Sequence, residues 1–260
     1  MRSVIGRYFA AQQFLTRLPC PAWTPWHPDE LARSTAWFPL VGLVVGALAA
    51  LAGLIFGGVA DLPGPMVAVI VVAVPVVVTG FFHEDAWSDV CDAFGGMTPA
   101  RRREIMRDSR VGSFGATGVA LLVAAKVVGL MSLPWQMMVP VVIGAHILSR
   151  WSSLVMIGLS TYVDDPASLT KPYVGQVTWT RFALASAVPT VPVCAWIFGP
   201  VVTAGLLTGT VVIVALASRF FVTWLGGITG DCLGAVNQLV EVGVYLTATQ
   251  PSVLAVIRHV

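Results

Sequence analysis

Residues 64–82 of the chain read GPMVAVIVVAVPVVVTGFF, and residues 83–92 continue as HEDAWSDVCD. The first stretch has no charged side chain and, as a helix, is long enough to cross the roughly 30 Å hydrocarbon core of a bilayer. The second stretch begins with a histidine and contains four acidic residues. This junction predicts a membrane helix followed by an acidic cluster.

The composition of the whole chain agrees with this junction. Of the 260 residues, 57% are hydrophobic and only 11% are charged, whereas soluble domains carry about 25% charged residues. A soluble protein with a very large core is the alternative, but repeated apolar runs of about 20 residues argue against it. The sequence therefore predicts an all-α fold, a polytopic integral membrane helical bundle that forms a single domain over residues 1–260.

Seven membrane spans are predicted, and turns rich in Pro and Gly, such as 62–65 and 198–200, separate most of them. Their ranges are 36–58, 64–82, 112–132, 135–159, 181–199, 201–225 and 231–249. Before the first span, apolar residues at helical spacing from Ile5 to Leu18 indicate either an amphipathic helix on the membrane surface or a short buried helix. The four cysteines form no Cys-x-x-Cys pair, which argues against a zinc site or a disulfide framework.

The basic residues predict the orientation, because cytoplasmic loops of membrane proteins are enriched in Lys and Arg. A cytoplasmic N-terminus places all but two of the 15 basic residues inside, the exceptions being Lys126 and Arg258. Three polar stretches, 83–110, 160–175 and 226–231, then share one face. We expect a protein of the inner (cytoplasmic) cell membrane with a site that faces the cytoplasm.

The acidic cluster predicts a cation site. Asp85, Asp89 and Asp92 are spaced i, i+4, i+7 and share one helical face, and with Glu84 they place four of the 13 acidic residues within nine positions. Like charges at this spacing repel, and carboxylates are costly near a bilayer. Oxygen ligands without thiolates favour Mg²⁺ or Mn²⁺ over zinc. A solvated helix end and a proton or cation path are the alternatives.

Roles within this cluster follow from its chemistry. The predicted metal ligands are Glu84, Asp85, Asp89 and Asp92, and the last two carry the catalytic role through the metal. His83 is a candidate general base towards an attacking hydroxyl. A lone histidine beside acids is equally typical of a structural residue, so both interpretations of His83 stay open.

A basic stretch follows, and residues 101–118 read RRREIMRDSRVGSFGATG. The guanidinium groups of Arg103, Arg107 and Arg110 share a helical face and suit phosphate oxygens. The Gly/Ser segment that follows opens a span, where free backbone N–H groups favour an anion. The predicted substrate-binding residues are therefore Arg107, Ser109 and Arg110. Alternatively, the arginines only hold the loop inside. Acids and arginines on one face indicate metal-assisted phosphoryl transfer from a di- or triphosphate.

Polar residues elsewhere are further candidates. Asp231 and Asn237 are predicted to contact substrate or metal, although Asp231 also suits a helix cap. His146 and Arg150 lie i, i+4 inside a span, where they contact a phosphate or pair with an acid of a neighbouring helix, and Lys126 has the same second option. The loop containing Asp164, Asp165, Lys171 and Tyr173 is either a substrate lid or an ordinary solvated loop.

Two of these stretches resemble the cobalamin synthase family. Residues 83–96, HEDxxxDxxDxFGG, and residues 104–118, EIMRDSRVGSFGATG, are similar to its most recognisable motifs. Residues 14–19, 34–42 and 226–238 are similar to further motifs, so that the resemblance covers nearly the whole chain. The family usually has Gly at the positions of Ala86 and Ala93, and Leu-Ala in place of Trp87-Ser88.

The resemblance implies an adenosylcobinamide-GDP ribazoletransferase acting late in nucleotide-loop assembly of cobalamin biosynthesis. Adenosylcobinamide-GDP and α-ribazole, or its 5′-phosphate, would give adenosylcobalamin, or its 5′-phosphate, and GMP with Mg²⁺ as cofactor. The ribazole 3′-hydroxyl would attack the phosphorus attached to cobinamide. The lipid bilayer is the implied environment, a nucleic-acid partner is not indicated, and a homo-oligomer is left open.

Two other functions predict different sequence features. A CDP-alcohol phosphotransferase would carry a D-G-x-x-A-R element, which the chain lacks. An ion-coupled transporter would place acidic residues along a path across the membrane, whereas the acids here cluster at one predicted end.

Overall fold

The structure, a computed structural model, describes residues 2–25, 27–163 and 178–257. In this part of the chain every regular element is helical, apart from a single bridge between Tyr162 and Ile228. The predicted all-α fold is confirmed. The helices are α1 (Arg2–Leu15), α2 (Pro28–Ser34), α3 (Phe38–Gly53), α4 (Gly64–Thr79), α5 (Phe82–Asp92), α6 (Pro99–Ile105), α7 (Ser113–Met131), α8 (Trp135–Leu159), α9 (Trp179–Ala185), α10 (Val191–Leu225), α11 (Gly230–Ala248) and α12 (Pro251–Leu254).

Helical runs that could cross a membrane support a multi-pass protein. By length and composition four described runs qualify, and a fifth is added if the bent pair α4–α5 counts as one span. The four are Glu30–Val59, Ser113–Met131, Trp135–Leu159 and Trp179–Leu225. The predicted lipid environment is thereby supported, and four or five helical runs qualify where seven spans were predicted.

Two features explain the difference from seven predicted spans. The run Trp179–Leu225 contains two of them and loses helical geometry at Gly199, where φ is 74° and ψ is 161°. At 1.5 Å per residue this run would measure about 70 Å, more than twice the thickness of a hydrocarbon core. The predicted span 231–249 is helical as α11, but polar side chains lower its hydropathy, among them Asp231, Asn237, Gln238 and Glu241.

Helix α8 forms the centre of the bundle, because 89% of the residues in its apolar stretch are buried. Helix α3 packs closely against it because two glycines leave room for the backbone of α8. A Cβ atom at Gly42 would lie 2.3 Å from the carbonyl oxygen of His146, and one at Gly46 would lie 2.8 Å from the Cα of Ile143. Small residues at helix contacts are the usual route to close packing in membranes.

Helix α5 turns away from α4 by 90°. Gly80 and Phe81 both adopt positive φ angles, 65° and 62°, which end α4 and start the turn. The backbone N–H of Arg17 donates to the carbonyl of Val78 at 2.8 Å, and a Cβ atom at Gly80 would collide with the Arg17 side chain. The segment after α1 therefore holds the bend, which leads the acidic helix across the end of α4.

A buried network of charges joins α5, α7, α8 and α11. Lys126 Nζ lies 3.3 Å from Glu84 Oε1 and 3.1 Å from Glu241 Oε1. The other oxygen of Glu241 lies 3.5 Å from His146 Nδ1 and 3.7 Å from Arg150 Nη1. The two carboxylates offset the two cations, and none of these side chains is more than 9% exposed. The pairing alternative for His146, Arg150 and Lys126 is therefore the one that the structure supports.

We expect Lys126→Met to destabilise the bundle, because it leaves Glu84 and Glu241 buried with less compensation. Breaking a buried ion pair by removing one partner costs about 3–5 kcal/mol, and unfolding in detergent would measure the loss. Glu84→Gln added to Lys126→Met should recover part of it, since one uncompensated charge disappears. If the exposed control Arg101→Ala lowered the free energy of unfolding by the same amount, the loss in Lys126→Met would not be specific to the buried network.

Candidate active site

Two carboxylates of α5 lie beside a third at the start of α11. Asp85 is exposed and Asp89 is half-buried, and Asp89 interacts electrostatically with Asp231, Asp85 and, more weakly, Asp92. Helices α5 and α11 come this close because Gly234 faces Ala86: a Cβ atom at Gly234 would lie 2.4 Å from the Ala86 Cβ. We call Asp85, Asp89 and Asp231 the acidic site.

The carboxylates of the acidic site are ligands of the kind that a magnesium ion prefers. In the described part of the chain neither Asp85 nor Asp89 has a hydrogen bond or ion pair that would neutralise it. No three His, Cys, Asp or Glu side chains among the described residues converge closely enough to hold a metal by themselves. Mg²⁺ is usually bound by one or two carboxylates with waters and substrate phosphates, so the site suits an ion whose coordination the substrate completes.

Thr229, and not Asp231, is the residue that caps α11. Thr229 is the N-cap residue of α11, and its hydroxyl accepts from the backbone N–H of Cys232 at 3.4 Å. The same hydroxyl donates to Asp231 Oδ2 at 3.3 Å. The Asp231 carboxylate is therefore oriented towards the acidic site by a residue that also starts the helix.

Two predicted site residues lie on the opposite side of α5. Glu84, predicted as a metal ligand, is buried and accepts from Lys126 and from Gln238 Nε2 at 3.2 Å. His83 is 2% exposed and interacts electrostatically with Arg150 and Glu241 of the buried network. These two residues directly precede Asp85 in the sequence, but their side chains lie in the interior of the bundle.

Asp92, predicted as a metal ligand and catalytic residue, contacts backbone instead. Its Oδ2 accepts from the N–H of Gly112 and its Oδ1 accepts from the N–H of Gly115, both at 2.8 Å. The predicted anion cradle at the start of α7 therefore has an anion already, a carboxylate of the protein itself. These bonds satisfy donors that a helix start leaves free.

The arginines of the predicted phosphate motif divide into two groups. Arg102 donates to the carbonyls of Gly96 and Trp224, each at 2.9 Å, and its guanidinium lies 4.9 Å from the centre of the Trp224 ring. Arg103 donates to the carbonyl of Leu225. These two residues bind the last carbonyls of α10, a favourable position for cations at a helix end.

The second group is exposed on the loop between α6 and α7. Arg107, Ser109 and Arg110 all face solvent. Arg110 forms a forked ion pair with Asp108, with Nε 3.0 Å from Oδ1. These hydrogen bonds lower the pKa of Asp108 to about 2. The loop thus presents the guanidinium groups that the sequence assigned to phosphate.

Asn237, predicted to contact substrate, lies inside the bundle. Its Nδ2 donates to Ser153 Oγ at 2.8 Å and to the carbonyl of Leu233 at 2.7 Å. It joins α11 to α8 and is 2% exposed. The loop candidates Asp164, Asp165, Lys171 and Tyr173 lie outside the described residues.

The polar stretches meet at one end of the bundle wherever the structure describes them. The N–H of Ile228 donates to Thr161 O at 2.9 Å, and the N–H of Val163 donates to Ile228 O at 3.0 Å. Arg103 joins the loop after α5 to the end of α10. The expectation that distant polar segments assemble on one face is confirmed for 83–110, 160–163 and 226–231.

Comparisons with known proteins agree with this arrangement. Residues 7–249 match the family described as cobalamin-5-phosphate synthase. A relative from Vibrio cholerae is 33% identical over 265 residues, covering 100% of this chain and 97% of its own. One from Syntrophobacter fumaroxidans is 39% identical over 250 residues, covering 91% and 95%. Both relatives are called adenosylcobinamide-GDP ribazoletransferase. No solved structure matches the chain.

The contacts of Arg102 predict that charge alone cannot replace it. Arg102→Lys keeps the charge but loses the planar fork that reaches two carbonyls, so we expect a loss of about 1–3 kcal/mol in unfolding free energy. Hydrogen exchange over residues 96–105 should become faster. Arg101→Ala, which removes an exposed arginine paired with Glu104, should change neither. Equal effects of both variants would contradict the assignment.

Proposed function

The chain belongs to the cobalamin-5-phosphate synthase family, and we propose that it catalyses the transfer named in its relatives. A hydroxyl of α-ribazole, or of its 5′-phosphate, attacks the phosphorus attached to cobinamide in adenosylcobinamide-GDP. The bond from that phosphorus to the bridging oxygen breaks, the oxygen leaves as part of GMP, and the proton of the attacking hydroxyl is released. The products are adenosylcobalamin, or its 5′-phosphate, and GMP, which makes the protein a transferase of a substituted phosphate group.

The observation that carries this proposal in the structure is the acidic site. Asp89 is half-buried among carboxylates, an arrangement that disfavours its ionised form and that a bound cation would stabilise. We propose that Asp85, Asp89 and Asp231 hold Mg²⁺ together with pyrophosphate oxygens of the substrate. A magnesium ion there supplies charge neutralisation at the leaving phosphate. In this proposal the three aspartates position the pyrophosphate beside the contact between α5 and the start of α11.

The exposed loop residues supply the second half of the phosphate site in this proposal. Arg107, Ser109 and Arg110 precede α7, whose start Asp92 holds against α5. The ion pair of Arg110 with Asp108 is exposed, and exposed pairs contribute little. Exchanging Asp108 for a phosphate therefore costs little, and a planar guanidinium binds two phosphate oxygens at once.

The distribution of basic residues supports a site that faces the cytoplasm. The loop 101–110 carries five arginines, whereas the connection 59–63 between α3 and α4 carries no Lys or Arg. Under the positive-inside rule these two connections lie on opposite sides. We propose that the protein lies in the inner cell membrane with the acidic site inside, where nucleotide substrates are available.

An epitope inserted after Ser109 should be reached by antibody only after the inner membrane of spheroplasts is opened. An epitope inserted at Asp61, in the exposed turn between α3 and α4, should be reached in intact spheroplasts. The reverse pattern would contradict the orientation, while the insert at Asp61 controls for access to the outer face.

The activity can be tested on purified protein in detergent. With Mg²⁺, adenosylcobinamide-GDP and α-ribazole, the wild-type chain should release GMP and form adenosylcobalamin in equal amounts. Omitting the ribazole should abolish GMP release, because water is not the proposed acceptor. A folded protein that releases no GMP under these conditions would exclude the proposed activity.

The metal assignment predicts a specific change for Asp89→Asn. The variant keeps the shape of the side chain but loses a charge from the acidic site, so the Mg²⁺ concentration for half-maximal activity should rise by about tenfold or more. Asp61→Asn, which removes an exposed carboxylate from the α3–α4 turn, should leave that concentration unchanged. An unaltered Mg²⁺ dependence in Asp89→Asn would remove Asp89 from the metal site.

A further inference from the structure

Of the three aspartates on one face of α5, Asp92 is the one that is not part of the proposed metal site. Its two carboxylate oxygens accept from two backbone N–H groups at the start of α7, Gly112 and Gly115, both at 2.8 Å. Gly112 is the N-cap residue of α7, but no side chain of its own caps the helix. A carboxylate in this position satisfies free donors and interacts favourably with the positive end of the helix.

The glycines of α7 are what allow this contact. A Cβ atom at Gly112 would lie 2.5 Å from Asp92 Oδ1, and one at Gly115 would lie 2.4 Å from Asp92 Oδ2 and from Ser88 Oγ. One turn further, a Cβ atom at Gly118 would lie 2.4 Å from Cys91 Sγ. Glycines three residues apart thus form the face of α7 that receives α5.

The position of the phosphate-binding loop depends on this contact. Arg110 is two residues before Gly112, and Arg107 and Ser109 lie in the same short connection between α6 and α7. Arg102 and Arg103 fix the α6 end of the segment to α10. Asp92 fixes the other end, on the same helix that carries Asp85 and Asp89.

We propose that Asp92 is a positioning residue. It is a cap supplied by α5 to the start of α7, and it holds the loop between α6 and α7 in a fixed position relative to the acidic site. This inference rests on the proposed function for its effect on catalysis. It assigns Asp92 to the placement of substrate phosphates and not to the metal ion. Loss of the cap should therefore weaken substrate binding while Mg²⁺ binding is kept.

Two variants disturb the contact from opposite sides. Asp92→Asn can accept only one of the two N–H groups, whereas Gly115→Ala removes no carboxylate from the protein but displaces the Asp92 side chain. Both should raise the KM for adenosylcobinamide-GDP by about tenfold or more, with an unchanged Mg²⁺ concentration for half-maximal activity. Asp89→Asn should instead raise the Mg²⁺ concentration for half-maximal activity and change the KM for adenosylcobinamide-GDP much less. Gly118→Ala, which adds the same methyl group against the Cys91 side chain, serves as the matched control and should change KM less than Gly115→Ala.

Hydrogen exchange tests the cap without activity. In the ligand-free protein, Asp92→Asn should speed exchange at residues 112–115, while exchange in α8 and the unfolding midpoint stay near wild type. Unchanged exchange at 112–115 would overturn the cap, whatever the activity. A raised Mg²⁺ requirement in Asp92→Asn without one in Gly115→Ala would make Asp92 a metal ligand and overturn the positioning role, as would an equal KM effect of Gly118→Ala. Failure of the wild-type chain to release GMP would instead exclude the proposed function and leave the exchange result to decide the cap.

Discussion

The buried contact of Lys126 with Glu84 and Glu241 sets the arrangement on which the other features depend. A bilayer core offers no water to a charged side chain, so each buried charge needs a partner from a neighbouring helix. Lys126 on α7 meets an acid from α5 and an acid from α11 within 3.3 Å. With α5 held in this way, Asp92 reaches the start of α7 and Asp89 interacts with Asp231 at the start of α11, so both helix starts lie at the same end of the bundle.

The same constraint divides the acids of α5 by role. Glu84 faces inwards and has a cation at 3.3 Å, so it needs no metal. Asp92 has two backbone donors at 2.8 Å. Asp85 and Asp89 interact with a third carboxylate, Asp231, and no group in the described part of the chain supplies them with a counterion. The magnesium proposal is strongest where the protein's own groups provide no compensation.

Sequence alone predicted the helices well because long apolar runs are typical of membrane-spanning helices, and α4, α7 and α8 begin and end within a few residues of predicted spans. It did not predict the sides of α5, since Glu84 and Asp85 are adjacent and only their neighbours decide which faces inwards. Lys126 and Glu241 within apolar segments were the available signal for the network. The contact of Asp92 with Gly112 joins residues 20 positions apart, and spacing within one helix carries no information about it.

Positions at which the chain departs from the usual family pattern face helix contacts. The methyl group of Ala86 fills the space left by Gly234, and Ala93 is fully buried. Trp87 donates from Nε1 to the carbonyl of Gly118 at 2.9 Å, which ties α5 to α7 one turn beyond the Asp92 cap. Ala86 and Trp87 hold α5 against α11 and α7, and neither is a carboxylate of the acidic site. The departures are therefore adjustments of packing, and they leave the proposed chemistry to the same groups.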